Sequence, residues 1–131
     1  LDNYKILGQP VLASDATWYL GYEVPAQATV TVDTAATLVA PAVVAARVQT
    51  LVTSIIVCGL ATSTFSIGLT PDNPGGTGTP GSTETLFSEK VITEDTTEVL
   101  SLGLTLGVGN TIWVKRGAGD VAFTIMGIEI T

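Results

Sequence analysis

Thr97-Glu98-Val99-Leu100-Ser101-Leu102-Gly103-Leu104-Thr105-Leu106 decides the fold class. Leu100, Leu102, Leu104 and Leu106 fall on one face of an extended chain, and Ser101, Gly103 and Thr105 fall on the other. A period of two is what a sheet with one buried face requires. The residues that follow continue in the same style. Asn110 to Arg116 and Val121 to Thr131 read as two more strands, with Gly107–Asn110 and Gly117–Asp120 as the turns between them. The last strand changes phase. Val121, Phe123 and Ile125 share one face, whereas Met126, Ile128 and Ile130 share the opposite one. A slip of one residue moves every side chain across a sheet. This predicts either a β-bulge near Ile125–Gly127, where glycine is at home, or a strand covered on both faces, one of them by a neighbouring subunit.

Working back toward the N-terminus, Leu86 to Ile92 is a strand followed by an acidic turn at Glu94-Asp95. Thr62 to Thr70 alternates, with Phe65, Ile67 and Leu69 inward and Thr64, Ser66, Gly68 and Thr70 outward. Between them Pro71 to Thr85 is rich in proline and glycine and reads as a loop. Gln49 to Cys58 is apolar on both faces and is expected to be a central strand. Thr34 to Arg47 is ambiguous: its alanines suit a short helix after Pro41, while Val43, Val44 and Val48 favour extended structure, the preferred reading. Thr29 to Asp33 alternates, and Thr17 to Val24 is an aromatic strand closed by Pro25. Tyr4 to Leu12 is a short strand or an extended arm. The whole predicts an all-β chain of about eight strands forming one domain over residues 1–131, an antiparallel β-sandwich or jelly-roll-like fold. Residues 1–12 are its candidate N-terminal arm.

Composition narrows the function classes. Of 131 residues 46% are hydrophobic and only 13% charged, which argues against disorder and for more covered surface than a monomer provides. The net charge of −7 and the lone basic pair Lys115–Arg116 disfavour nucleic acid and anionic membranes as partners. The longest apolar candidate, around Val43 to Val57, is interrupted by polar residues and falls short of a membrane span. The opening Leu1–Lys5 has no signal-peptide pattern, and the missing Met leads us to expect a trimmed start. One cysteine, Cys58, allows no intrachain disulfide and is expected to be a buried thiol. There is no histidine, which removes the usual general base and the commonest zinc ligand. Glu89, Glu94, Asp95 and Glu98 cluster in sequence, but at a strand end and a turn, where solvated carboxylates are ordinary. No metal or cofactor is expected, and an enzyme is not.

Several strings, in order, resemble a family of small virion structural proteins of tailed bacteriophages. They are Tyr4-Lys5-Ile6-Leu7-Gly8-Gln9, the aromatic strand ending in Val24-Pro25-Ala26, Ser54-Ile55-Ile56-Val57-Cys58, and Thr62-Ser63-Thr64-Phe65-Ser66-Ile67. The strongest is Asp95-Thr96-Thr97 through Leu102-Gly103-Leu104-Thr105-Leu106-Gly107, followed by Asp120-Val121-Ala122-Phe123 and Gly127-Ile128-Glu129-Ile130. Val30 to Val48 looks like an insertion, Gly59 stands where the family has asparagine, and the Pro71–Thr85 loop differs in composition. The resemblance implies a non-enzymatic capsid decoration (cement) protein. It would bind the major capsid protein as a homo-oligomer, often a trimer, on the outer surface of a virion assembled in the host cytoplasm. The residues assigned to partner contact on this basis are Tyr4, Ile6 and Leu7 in the arm, Val39, Val43 and Val44 in the insertion, and the aromatics Trp18 and Tyr22. The alternatives are a tail, neck or head-fibre adaptor or receptor-binding module, and a free-standing carbohydrate-binding module using Trp18, Tyr22 or Trp113.

Overall fold

The leucine row of Thr97–Leu106 faces inward as its spacing requires: Leu106 is buried, and Leu100, Leu102 and Leu104 pack against the core from the sheet margin. The computed structural model describes residues 3–24, 29–31, 43–45, 49–70, 79–107 and 109–130. Its strands are β1 (Asn3–Gly8), β2 (Tyr19–Glu23), β3 (Thr29–Thr31), β4 (Val43–Ala45), β5 (Gln49–Gly59), β6 (Ser63–Thr70), β7 (Thr85–Ile92), β8 (Thr97–Leu106), β9 (Thr111–Arg116) and β10 (Val121–Ile130). One 3-10 turn, Ser82–Glu84, ends the region that the sequence reads as a loop; residues 71–78 of that loop lie outside the described residues.

Two four-stranded antiparallel sheets face each other, ordered β1-β10-β5-β8 and β2-β9-β6-β7. Counting the eight sandwich strands alone, the orders become first–eighth–third–sixth and second–seventh–fourth–fifth. That is the double Greek key of a jelly roll, so the structure decides between the two arrangements expected from the sequence. β3 and β4 form a separate two-stranded ribbon through Thr29↔Ala45, Val30↔Val44 and Thr31↔Val43. Extended backbone at Val43 and Val44 agrees with the preferred reading of that stretch; the rest of 32–42, Val39 included, lies outside the described residues.

The core lies between the sheets. Phe65, fully buried, meets Phe123 edge-on at 6.2 Å and Phe87 at 6.4 Å. Val52, Ile55 and Val57 of β5, Ile112 and Val114 of β9, and Ile125 of β10 complete it. At one end Arg116 is turned inward and only 7% exposed. Its guanidinium donates to the Leu12 carbonyl at 3.1 Å and to Asp15 at 2.7 Å, so this buried charge is both paired and hydrogen-bonded, as burial requires.

The phase change read in the last strand has an exact location but a different owner. β10 itself alternates without interruption, with Phe123, Ile125, Gly127 and Glu129 toward the other sheet. The extra residues belong to its neighbours: Thr53 in β5 and Leu7 in β1 both bulge opposite the Ile125–Gly127 step. Gly127 makes the arrangement fit. A Cβ there would stand 2.3 Å from the Leu51 carbonyl oxygen and 2.8 Å from the Leu7 side chain.

The inward and outward assignment of β6 holds, with Leu69 half-buried against the core beside Ile112. Two expectations are corrected. Residues 3–8 are the strand of the two alternatives and not a free arm, because β1 is hydrogen-bonded to β10 as a sheet edge. β5 is interior as expected, but its second face (Leu51, Ser54, Ile56, Cys58) is half-covered and not buried, so the Cys58 thiol lies at an outer surface.

Candidate interaction surface

The registers assign the outward side chains of the β1-β10-β5-β8 sheet to rows. Tyr4, Ile128, Leu51 and Thr105 form one row across it, and Ile6, Met126, Ser54 and Ser101 form the next. Thr124, Ile56 and Val99 follow, then Ala122, Cys58 and Thr97. No charged side chain occurs in these rows, although the chain carries twelve acidic and five basic residues. Tyr4 is 55% exposed, Ile6 51% and Val99 61%. Exposed apolar side chains interspersed with Ser and Thr and free of charge make this face the candidate interaction surface. The outer face of the second sheet differs, since its rows include Glu23 and Lys115.

The contact residues expected from the resemblance do not converge. Tyr4 and Ile6 lie side by side on the charge-free face, pointing outward on β1. Leu7, the residue after Ile6, bulges inward and packs on the core. Tyr22 is buried: its hydroxyl donates to Glu129 at 2.6 Å and shares a hydrogen bond with Thr50 at 2.8 Å, so it ties the two sheets together and is unavailable for contact. Trp18 is half-buried beside the opposite sheet, with the Lys115 ammonium 4.7 Å from its ring centre. Trp113 is buried and its indole N–H donates to Thr111 at 2.9 Å, which removes it as a sugar platform. The side chains of Val43 and Val44 fall outside the described surface. Sequence reading missed Ile56 and Val99 as members of the patch, and it placed Met126 and Ile128 on a second face of the last strand without joining them to the neighbouring strands. The apolar second face of the last strand was the available signal.

A polar clamp stands behind the patch. Glu129 on the inner side of β10 is ion-paired with Lys5 of β1 and accepts the Tyr22 hydroxyl from β2. The Lys5 and Tyr22 hydrogen bonds hold the Glu129 carboxyl below its ordinary value of 4.5. Burial, reinforced by the Glu129 hydrogen bond, pushes the Tyr22 hydroxyl well above the usual tyrosine range. A depressed carboxylate stabilises the fold above its unfolded value, and that contribution disappears as pH falls through the folded one. Melting temperature measured from pH 7 downward is therefore expected to fall more steeply in the native chain than in Glu129→Gln; parallel curves would show that the clamp contributes nothing.

Other chemistry is sparse among the described residues. A shallow notch of about 310 Å³ lined by Pro10, Val11, Leu12, Leu60, Asp120, Val121 and Ala122 contains one carboxylate, which faces the Arg116 guanidinium at 3.7 Å. No described group of three or more acidic, cysteine or histidine side chains is placed to hold a metal ion, and no described helix is long and apolar enough to cross a membrane. No family model, curated protein or solved structure matches this chain.

Proposed function

We propose that this chain is a non-enzymatic structural protein of a tailed-bacteriophage virion, a capsid decoration protein that acts as a homo-oligomer on the major capsid protein lattice. The observation that carries the reading is the charge-free outer face of the β1-β10-β5-β8 sheet, where Tyr4, Ile6 and Val99 stand exposed. The resemblance of the ordered strings to such proteins is what points to the capsid as partner; the jelly-roll topology is compatible with it but assigns no function on its own.

The mechanism is physical. Docking the apolar face removes it from water, at a gain of about 25 cal/mol per Å². The stiff two-layer core transmits load between neighbouring lattice subunits and opposes outward pressure from packaged DNA. Acidic groups elsewhere on the chain keep particles from adhering to one another. Deleting residues 1–9 would remove a sheet strand and uncover β10, so point substitutions on the face are the cleaner probe.

The test is reconstitution. Purified protein is added to capsids that lack it, and bound copies are counted. Saturation at a copy number matching the capsid lattice is expected. Saturation at the few copies of a neck or tail position would assign the alternative adaptor role, and absence of binding would refute both.

A further inference from the structure

The two long sides of the sandwich are built differently. On one side β1 and β2 close against each other: a Cβ on Gly8 would stand 2.2 Å from the Gly21 carbonyl oxygen. On the other side β7 and β8 are joined by the Lys90–Glu98 ion pair at 3.1 Å, and Phe87, Leu100, Leu102 and Leu104 remain only half-buried. Among the described residues the core is thus open along β8.

The edges are also defended differently. An edge strand presents unpaired N–H and C=O groups that template pairing with another chain, and proteins blunt it with short length, bulges, lysine or proline. β1 has a bulge and Lys5; β2 is five residues long with a register shift. β7 has two register shifts, Glu89 at φ +48° and Lys90. β8 is ten residues long and contains no lysine, arginine or proline. Its single charge, Glu98, is engaged by Lys90. Gly103, at φ +62°, marks a bulge beyond which the strand bends, leaving Thr97–Ser101 as a regular run.

We infer that β8 pairs antiparallel with β8 of a second copy, about a two-fold axis through Leu100 and normal to the sheet. This rests on the homo-oligomeric part of the proposed function and names its interface. An isologous contact of this kind needs a self-complementary strand. With the axis at Leu100, the two Leu100 residues meet, and each Glu98 lies opposite Leu102 of the other copy. Val99 faces Ser101 on the outer side, so no like charges oppose each other. The half-buried leucines gain cover, and the two charge-free faces merge into one eight-stranded surface. One face of four strands about 4.8 Å apart and about eight residues long spans roughly 500 Å², short of the ~800 Å² that a stable partner usually contributes. The merged face exceeds it.

The test is the mass of the isolated full chain by light scattering, for the native protein, V99K/S101K and V99K/S101E. Positions 99 and 101 are both exposed, so circular dichroism is expected to show the native fold in each variant. In the pair each lysine introduced at 99 lies about 5 Å from position 101 of the partner. The expected masses are two copies of the 13.5 kDa chain for the native protein, one for V99K/S101K, and two again for V99K/S101E. A native monomer, a native trimer, or a dimer unchanged in V99K/S101K would overturn the interface. Capsid binding, counted separately as above, tests the proposed function whatever the mass.

Discussion

Phe65→Ala is expected to cost about 3–5 kcal/mol of folding stability, the usual range for removing a buried phenylalanine. Phe65 is fully enclosed between the sheets, and its ring is the meeting point of Phe123 and Phe87. Neighbours anchored in two different strands cannot collapse into the space it leaves, because each is held by a backbone ladder. Against a total stability of roughly 5–15 kcal/mol, such a loss leaves a marginal fold. Urea unfolding should show a lower midpoint with an unchanged slope. Phe87→Ala, at a half-buried site on the open side, should cost clearly less. A loss below about 1 kcal/mol at Phe65 would mean that the two sheets do not pack through this ring.

The largest functional effect is expected from Ile6→Lys. Ile6 is half-exposed in the free chain and projects from the charge-free face beside Met126. A lysine there remains solvated while the protein is free, so fold and melting temperature should change little. Docking would bury an unpaired ammonium, at a cost of roughly 3–5 kcal/mol, or at least a hundredfold in affinity. Reconstitution on capsids should show occupancy collapsing for Ile6→Lys and persisting for Lys115→Ala on the opposite sheet. The reverse pattern would move the docking surface to the other face.

Period-two alternation made the fold legible. The leucines of β8 and the alternating residues of β6 assigned most inward side chains because a strand between a core and solvent has only two faces to offer. The strand order was not legible: long-range pairing depends on contacts that no local pattern encodes, and a jelly roll and other sandwiches share their strand signals. The irregularity at Ile125–Gly127 was visible, but its owner was not. A glycine that admits a neighbour's bulge looks in sequence like a glycine that forms its own.

The candidate surface was legible only in part. Tyr4 and Ile6 lie on the candidate face, but they stand on a paired edge strand and not on an arm. Tyr22 was misjudged because an aromatic residue with a polar tip suits an interface and a core equally well. Its two hydrogen-bond partners, Thr50 and Glu129, are 28 and 107 residues away in sequence. Ile56 and Val99 are not legible as contact residues, because single apolar residues on an outer face are ordinary, whereas Met126 and Ile128 are visible as the second face of the last strand. Only their alignment across four strands makes a patch.

The most direct test of the central claim is electron cryomicroscopy of purified phage particles that carry this chain, at a resolution that orients the jelly roll. The account predicts density on the outer shell with the β1-β10-β5-β8 face, including Tyr4 and Ile6, against the major capsid protein. Density with that face open to solvent and the β2-β9-β6-β7 face against the shell would contradict it.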